Sequence, residues 1–419
     1  MNTTFSPVTT SDQVPAPPRE WRWCLLRDVA RLESGHTPSR REPSYWNGGS
    51  VPWLSLKDIR GLAGRYVTET ADMPTRAGID NSSARILPRG TVAFCRTASV
   101  GKAAILGCDM ATSQDFANWV CGPDLLPDYL YEALRASGAQ FDKEKQGTTH
   151  KTIYMPVLER FRVLVPPLSE QRRIADILDK ADAIRRKRSE AIVLSEELLY
   201  STFLEIFGDP VTNPREWPEK LLGEVAEVSG GLQVTSARSE NPLPLPYLRV
   251  ANVYRDRLDL REIKEIRVTS GERDRALLRS GDVLVVEGHG NADELGRAAV
   301  WNGEIPVCTH QNHLIRVRGN VQCVMPSFLS SFLNSSSGRA QMLKLGKTTS
   351  GLNTISTNNI RSIRVLVPPL DLQERFAEIS RRVRNLTTRM KQQRYDGDLL
   401  ESLVACAFSG MLALTEISC

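Results

Sequence analysis

Side chains able to pair with the edges of nucleic-acid bases gather in two loop-forming stretches of this 419-residue chain. The first holds His36, Thr37, Ser39, Arg40, Arg41, Tyr45 and Asn47, followed by Lys57, Arg96, Lys102 and Lys151. The second holds Arg238, Arg249, Asn252, His289, Asn291, Arg297, Gln311, His313 and Asn353. Arg, Asn, Gln and His carry donors and acceptors that match base edges, and Lys and Arg neutralise phosphate. Gly and Pro run through both stretches, as in Ser34-Gly-His-Thr-Pro-Ser-Arg-Arg41 and Glu287-Gly-His-Gly-Asn291, and fold the backbone into tight loops. Singly, such residues build turns and caps. As two sets at matching points of the chain, they point to recognition, with Trp46 and Trp53 as packing residues beside the first set.

Covalent chemistry has little to work with. Gly101-Lys102 lacks the glycine spacing and the Ser or Thr of a phosphate-binding loop. Asn213-Pro214 is followed by Arg215-Glu216, where an amino-methyltransferase needs a second Pro and an aromatic residue to hold a flipped base. Glu262-Ile-Lys264 after Asp256 has a nuclease-like spacing, but such triplets arise readily by chance. Cys308, His310 and His313 could ligate a metal, yet the matching stretch of the other half offers no such set. The expectation is a chain with no catalytic residues, no metal and no cofactor of its own.

What must position the two sets is a duplicated scaffold. Arg162-Val-Leu-Val-Pro-Pro-Leu168 recurs as Arg364-Val-Leu-Val-Pro-Pro-Leu370. Leu25-Leu26-Arg-Asp-Val29-Ala30 returns as Leu221-Leu222-Gly-Glu-Val225-Ala226, and Thr112-Ser-Gln114 as Thr309-His-Gln311. The period is far longer than a solenoid unit, so whole domains are repeated. Between the matches, residues 34–90 and 230–285 diverge almost completely. A common frame with divergent inserts suits two readers of two different targets.

After each Pro-Pro-Leu the pattern turns helical, with Ser169 and Asp371 as expected N-caps. Ile174, Ile177, Ala181 and Ile184 recur at steps of three and four on the first helix. Phe376, Ile379, Val383, Leu386, Met390, Leu400 and Val404 do so on the second, as in a coiled-coil seam. Arg185-Arg-Lys-Arg188 is surrounded by Asp176, Asp179, Asp182 and Glu190, and reads as a solvated or partner-facing helix surface. The predicted organisation is a disordered tail at 1–18, a module at 19–168, a helix at 169–208, a linker at 209–216, a second module at 217–370, a second helix at 371–410 and a tail at 411–419. The fold class is α+β: two globular mixed α/β modules separated by two long antiparallel helices, a coiled-coil spacer, with a twofold internal repeat.

The net charge is only +5. The positive surplus falls in the two modules and not in the helical segments, which fits modules touching a polyanion and helices touching protein. No apolar run reaches the length of a membrane span, and the Thr-, Ser- and Pro-rich start lacks the apolar core of a signal peptide. Eight scattered cysteines without a CxxC pair argue against disulfides and for a reducing cytoplasm.

Two variable modules, each closed by a Val-Pro-Pro-Leu-x-x-Gln helix, with Gly208-Asp-Pro-Val-Thr-Asn-Pro214 between them, resemble the DNA-specificity subunit of type I restriction-modification systems. Ser34-Gly-His-Thr-Pro-Ser-Arg40, Val51-Pro-Trp-Leu54 and Lys57-Asp-Ile59 are similar to the start of that family's target recognition domain, and Thr349-Ser-Gly-Leu-Asn-Thr-Ile355 to a loop near its end. Gly230-Gly-Leu-Gln-Val234 departs from the pattern by lacking the Thr-Pro-Ser. The resemblance implies a non-catalytic subunit that reads a bipartite, asymmetric site in double-stranded DNA, one half per domain. It also implies two methyltransferase subunits using S-adenosylmethionine and restriction subunits using ATP and Mg, all of these cofactors on the partners. A coiled-coil scaffold that binds only proteins and a self-contained methyltransferase or nuclease with degenerate motifs are the alternatives.

Overall fold

The strand Val92–Cys95 is buried on both faces, and its alternation sorts two cores. Val92 and Phe94 join Ile105, Trp119 and Tyr129 on one side, while Ala93 and Cys95 join Leu54, Ile59 and Leu106 on the other. Val283–Val286 does the same: Val283 and Val285 face Phe328 and Phe332, and Leu284 and Val286 face Leu248 and Trp301. In this computed structural model, residues 19–62, 64–146, 151–349, 351–395, 404, 407 and 408 are described. They fall into two compact units, residues 1–188 with 393–419 and residues 189–392.

The repeat in sequence is a repeat in topology. In the first unit the sheet order is Ala30–Ser34, Phe116–Cys121, Val92–Cys95, Ala103–Leu106 and Tyr66–Val67, antiparallel except for the last pair. In the second it is Ala226–Gly230, Leu314–Gly319, Val283–Val286 and Ala298–Val300, antiparallel throughout. The copied Arg-Val-Leu-Val is a closing strand. Arg162–Val165 pairs with Arg22–Leu25, and Arg364–Leu366 with Glu219–Leu221, so each module's last strand is stitched to its first. The two prolines that follow end the ladder, because they have no N–H to donate to it.

The long helices span Leu168–Phe207 and Leu370–Tyr395. Forty residues at about 1.5 Å each make the first roughly 60 Å long. Each begins before its expected cap. Gln171 N donates to Pro167 O at 3.0 Å and Gln373 N to Pro369 O at 3.3 Å, which places Ser169 and Asp371 inside the first turn. The boundary between the units falls within the first helix, after Arg188.

The expected seam is only partly buried. Ile174 is buried and Ile177 packs beside it against the first unit's core, with Ala181 half-buried. Phe376 is buried, Ile379 packs on the second unit's core, and Val383 and Met390 are half-buried. Ile184 and Leu386, however, are 56% and 57% exposed, and the buried stripe of the second helix moves to Ser380 and Thr387. A straight helix of 3.6 residues per turn drifts about 20° per heptad against a strict seven-residue repeat, so the stripe leaves the predicted positions within two heptads. Val404 packs on the first core, and Leu400 lies outside the described residues. Within the second unit the helices run antiparallel: Phe203 and Phe207 meet Phe376 at 5.7 and 5.6 Å, while Glu196 meets Lys391 at 3.1 Å.

Candidate nucleic-acid interface

In the first unit the loop after Ala30–Ser34 is seated on the turn that carries Gln114. A Cβ at Gly35 would fall 2.0 Å from Ser113 O and 2.3 Å from Thr112 Oγ1, so only glycine fits. His36 N then donates to Thr112 O at 2.9 Å, and the Thr37 hydroxyl donates to Gln114 Oε1. The indoles hold the loop from below. Trp53 Nε1 donates to His36 O at 3.0 Å, and Trp46 Nε1 to Ser39 O at 3.1 Å. The two rings meet edge to face at 5.3 Å.

On this platform Arg40 lies 3.4 Å over the Trp46 ring and donates through Nη2 to Asp72 Oδ2 at 2.7 Å. Lys57 Nζ approaches the same carboxylate oxygen at 3.8 Å. Arg96 Nε donates to Gln114 O at 3.1 Å, and Arg96 O accepts from Ile153 N at 2.8 Å, which brings the neighbouring segment with exposed Lys151 alongside. His36, Thr37, Ser39, Arg40, Lys57 and Arg96 therefore share one surface. Arg41, Asn47 and Lys102 are exposed, and Tyr45 packs against the short helix Arg76–Asp80, where its Cβ would meet any side chain at Gly78.

The second unit repeats the seat and changes what stands on it. A Cβ at Gly231 would fall 2.3 Å from Gln311 O and 2.4 Å from His310 O, and Leu232 N donates to His310 O at 2.9 Å. Gln311 thus holds the place of Gln114. Beside it, Glu287 N donates to His313 O at 3.0 Å, and the His313 ring meets Glu287 Oε2 at 3.0 Å. The strands Gly288–His289 and Leu352–Thr354 pair, and Asn353 Nδ2 donates to His289 O and Gly290 O, each at 3.3 Å. Asn291 N donates to His289 Nδ1 at 3.0 Å. His289, Asn291, Gln311, His313 and Asn353 form one partly exposed group.

Four residues of this unit expected to contact DNA are instead buried or engaged with partners within the fold. Arg238 donates to Glu272 through Nη1 and Nη2, both at 2.9 Å, and that hydrogen bonding holds the Glu272 carboxyl below its usual range. Asn252 is 3% exposed and ties Arg249 N to Asp259 O and Glu262 O. Arg249 pairs with Glu262 at 2.7 Å. Arg297, 6% exposed, donates to Glu294 at 2.9 Å and to Val250 O at 2.8 Å. These four build the frame. Conversely, Gln114 joins this surface without standing in the first set of side chains, and the recurrence of its Thr-x-Gln turn as Thr309-His-Gln311 is the sequence signal for it.

Among the described residues, no three His, Cys, Asp or Glu side chains come together to hold a metal. Cys308 and His310 are fully buried in the fold, and His313 is exposed on the rim. Burial, helped by nearby Arg316, lowers the His310 pKa to about 4. Among the described residues no helix is long and apolar enough to cross a membrane.

Residues 18–193 and 214–396 each match the type I restriction modification DNA specificity domain. The chain is 26% identical over 263 residues to the type I restriction enzyme MjaIX specificity subunit of Methanocaldococcus jannaschii, covering 56% of this chain and 59% of that one. It is 26% identical over 422 residues to the StySPI specificity subunit of Salmonella potsdam, covering 94% and 90%. The S subunit of a type I restriction-modification system from M. genitalium has a similar fold, with a TM-score of 0.59 at 14% identity over 96% of this chain and 99% of that one.

Proposed function

The chain belongs to the type I restriction-modification DNA specificity family, and from that premise we propose that it reads a bipartite, asymmetric site in duplex DNA, one half per module. The observation that carries this reading is the glycine-seated loop. Gly35 and Gly231 press loops of unlike sequence onto equivalent turns, each bearing a glutamine. One frame thus presents two different sets of donors and acceptors, as two different half-sites require. The chain itself breaks no bonds. Methyl transfer from S-adenosylmethionine belongs to two methyltransferase subunits, and ATP- and Mg-dependent translocation and cleavage to restriction subunits. The first long helix offers them Val193, Leu194 and Leu198, each more than half exposed. The site of action is cytoplasmic DNA.

The test is reconstitution. The purified full chain is assayed for adenine methylation of genomic DNA with and without its methyltransferase subunits, and the modified bases are mapped. Modification of a two-part motif only when both components are present is expected. Methylation or Mg-dependent cleavage by the chain alone would show an enzyme, and a complex without salt-sensitive duplex binding would show a protein scaffold; either result refutes the proposal.

A further inference from the structure

We propose that Arg40 is the guanine-reading residue of the first module, an inference that rests on the DNA-reading function above and names the base. Its guanidinium is fixed on two sides before any ligand arrives. One face lies 3.4 Å from the Trp46 ring, and Nη2 donates to Asp72 at 2.7 Å. Both supports are themselves anchored. Trp46 is tied to Ser39 O and wedged against Trp53, which is 4% exposed. Asp72 pairs with Trp53 through a backbone bridge, and its carbonyl accepts from Thr70 Oγ1 at 3.0 Å. Yet the Arg40 side chain remains 49% exposed.

A guanidinium has five N–H donors arranged in two forks, so one bond to Asp72 leaves a complete fork open. Two coplanar acceptors match such a fork: the O6 and N7 atoms of guanine in the major groove, or two oxygens of a phosphate. Asp72 decides between them. Bonded to Arg40 at 2.7 Å and approached by Lys57 at 3.8 Å, it offsets part of the local charge and so weakens the electrostatic gain on which phosphate binding depends, while leaving the shape of the fork intact. Stacking on Trp46 fixes the plane of that fork, which lowers the ordering cost of a planar contact and does little for a phosphate. The neighbouring Arg41, exposed and without an acid partner among the described residues, suits phosphate better.

The second module supplies the contrast. Arg238 stands in the corresponding loop, but both its terminal nitrogens are spent on Glu272 at 2.9 Å, and its side chain is only 15% exposed. With Nε also donating to Gln233 O, Arg238 keeps no complete fork; the two arginines look alike in sequence, but only Arg40 has a fork open.

The experiment maps methylated motifs in a host carrying the full chain with its methyltransferase subunits, for wild type, Arg40→Ala and Arg40→Lys, and follows duplex binding of the same complexes against salt. In both variants one guanine of one half-site is expected to relax to other bases, with discrimination there falling on the order of 10- to 100-fold. The other positions and the gap should stay as they are, and the salt slope should be unchanged. Arg40→Lys keeps the charge and removes the fork, so it carries the test if Arg40→Ala accumulates poorly. A uniform loss of binding with a shallower salt slope would assign Arg40 to phosphate and overturn the inference, as would an unchanged motif. If the wild-type complex modifies no two-part motif, the DNA-reading function itself falls; if that motif stands and no guanine relaxes, only the role of Arg40 does.

Discussion

Gln171 in one unit and Gln373 in the other, both fully buried, make the same three hydrogen bonds. Gln171 accepts from Leu126 N and donates to Asp124 O and Pro166 O, each at 2.8 Å. Gln373 accepts from Met325 N at 2.8 Å and donates to Cys323 O at 3.0 Å and Pro368 O at 2.7 Å. In each module one amide thus pins the first turn of the long helix to the loop before a module helix and to the strand's exit. The direction in which the helix leaves is fixed there.

Replacing either glutamine by leucine would keep the volume and strand one buried N–H and two carbonyls. A loss of about 2–4 kcal/mol is expected from each, since unmade buried hydrogen bonds cost about 1–3 kcal/mol apiece and some will find water. Denaturant unfolding of the full chain measures this. A loss below 1 kcal/mol in both variants would mean that the amide does not hold the helix.

Arg238 provides a control for the DNA-reading surface. Because its fork is closed on Glu272, Arg238→Ala should reduce stability by about 1–2 kcal/mol, in line with the loss of a partly buried charged hydrogen bond, and leave the methylated motif as it was. Thermal denaturation and motif mapping together check it. A changed motif would return Arg238 to the base-reading set.

These arginines also mark where the sequence stops being legible. The duplicated Arg-Val-Leu-Val-Pro-Pro-Leu identified two modules and two helices because strand closure and helix entry are local events, written in consecutive residues. What separates Arg40 from Arg238, Arg249 and Arg297 is the acid each one meets, and how completely. Asp72, Glu272 and Glu262 lie in stretches that share no pattern between the halves, so only the folded chain pairs them, whereas Glu294 stands three residues from Arg297. The seam departs from its expected positions at two residues for a different reason. Ile184 and Leu386 fit the spacing, but a pattern of threes and fours cannot say how far a straight helix turns away from it.

His310 should make the second unit acid-sensitive. Its ring is buried with Nδ1 at 3.2 Å from Ala276 O and Nε2 without a partner among the described residues, and burial first, then Arg316, lower its pKa to about 4. Folding therefore favours the neutral ring, whereas the unfolded chain takes a proton near the ordinary value of about 6.5. The contribution is fully present above pH 6.5 and is lost progressively as pH falls toward 4, amounting to about 3 kcal/mol. Glu272 and Asp259, whose carboxyls are held low by their arginines, add their own loss at more acid pH, so the comparison must be with His310→Gln. That variant should be less stable at pH 7.5 and show a flatter profile between pH 6.5 and 4. Parallel profiles would mean that His310 does not titrate in this window.

The unbroken helix Leu168–Phe207 leads to the last expectation. If it sets the spacing at which two half-sites are read together, its length is a molecular ruler, because a helix adds about 1.5 Å per residue and cannot be stretched by side-chain adjustment. Inserting four helix-forming residues after Arg188, where the two compact units divide, lengthens it by about 6 Å. At about 3.4 Å per base pair along one strand, that is close to two base pairs. Motif mapping of the insertion variant, assembled with its methyltransferase subunits, should return the same two half-sites with a longer gap. The insertion also turns the following residues by roughly 40°, since four residues overshoot one turn of 3.6, and DNA two base pairs longer turns by about 70°. The mismatch is small enough for binding to survive at reduced strength. An active complex that keeps the original gap would mean that the helix links the modules without measuring the distance between their targets.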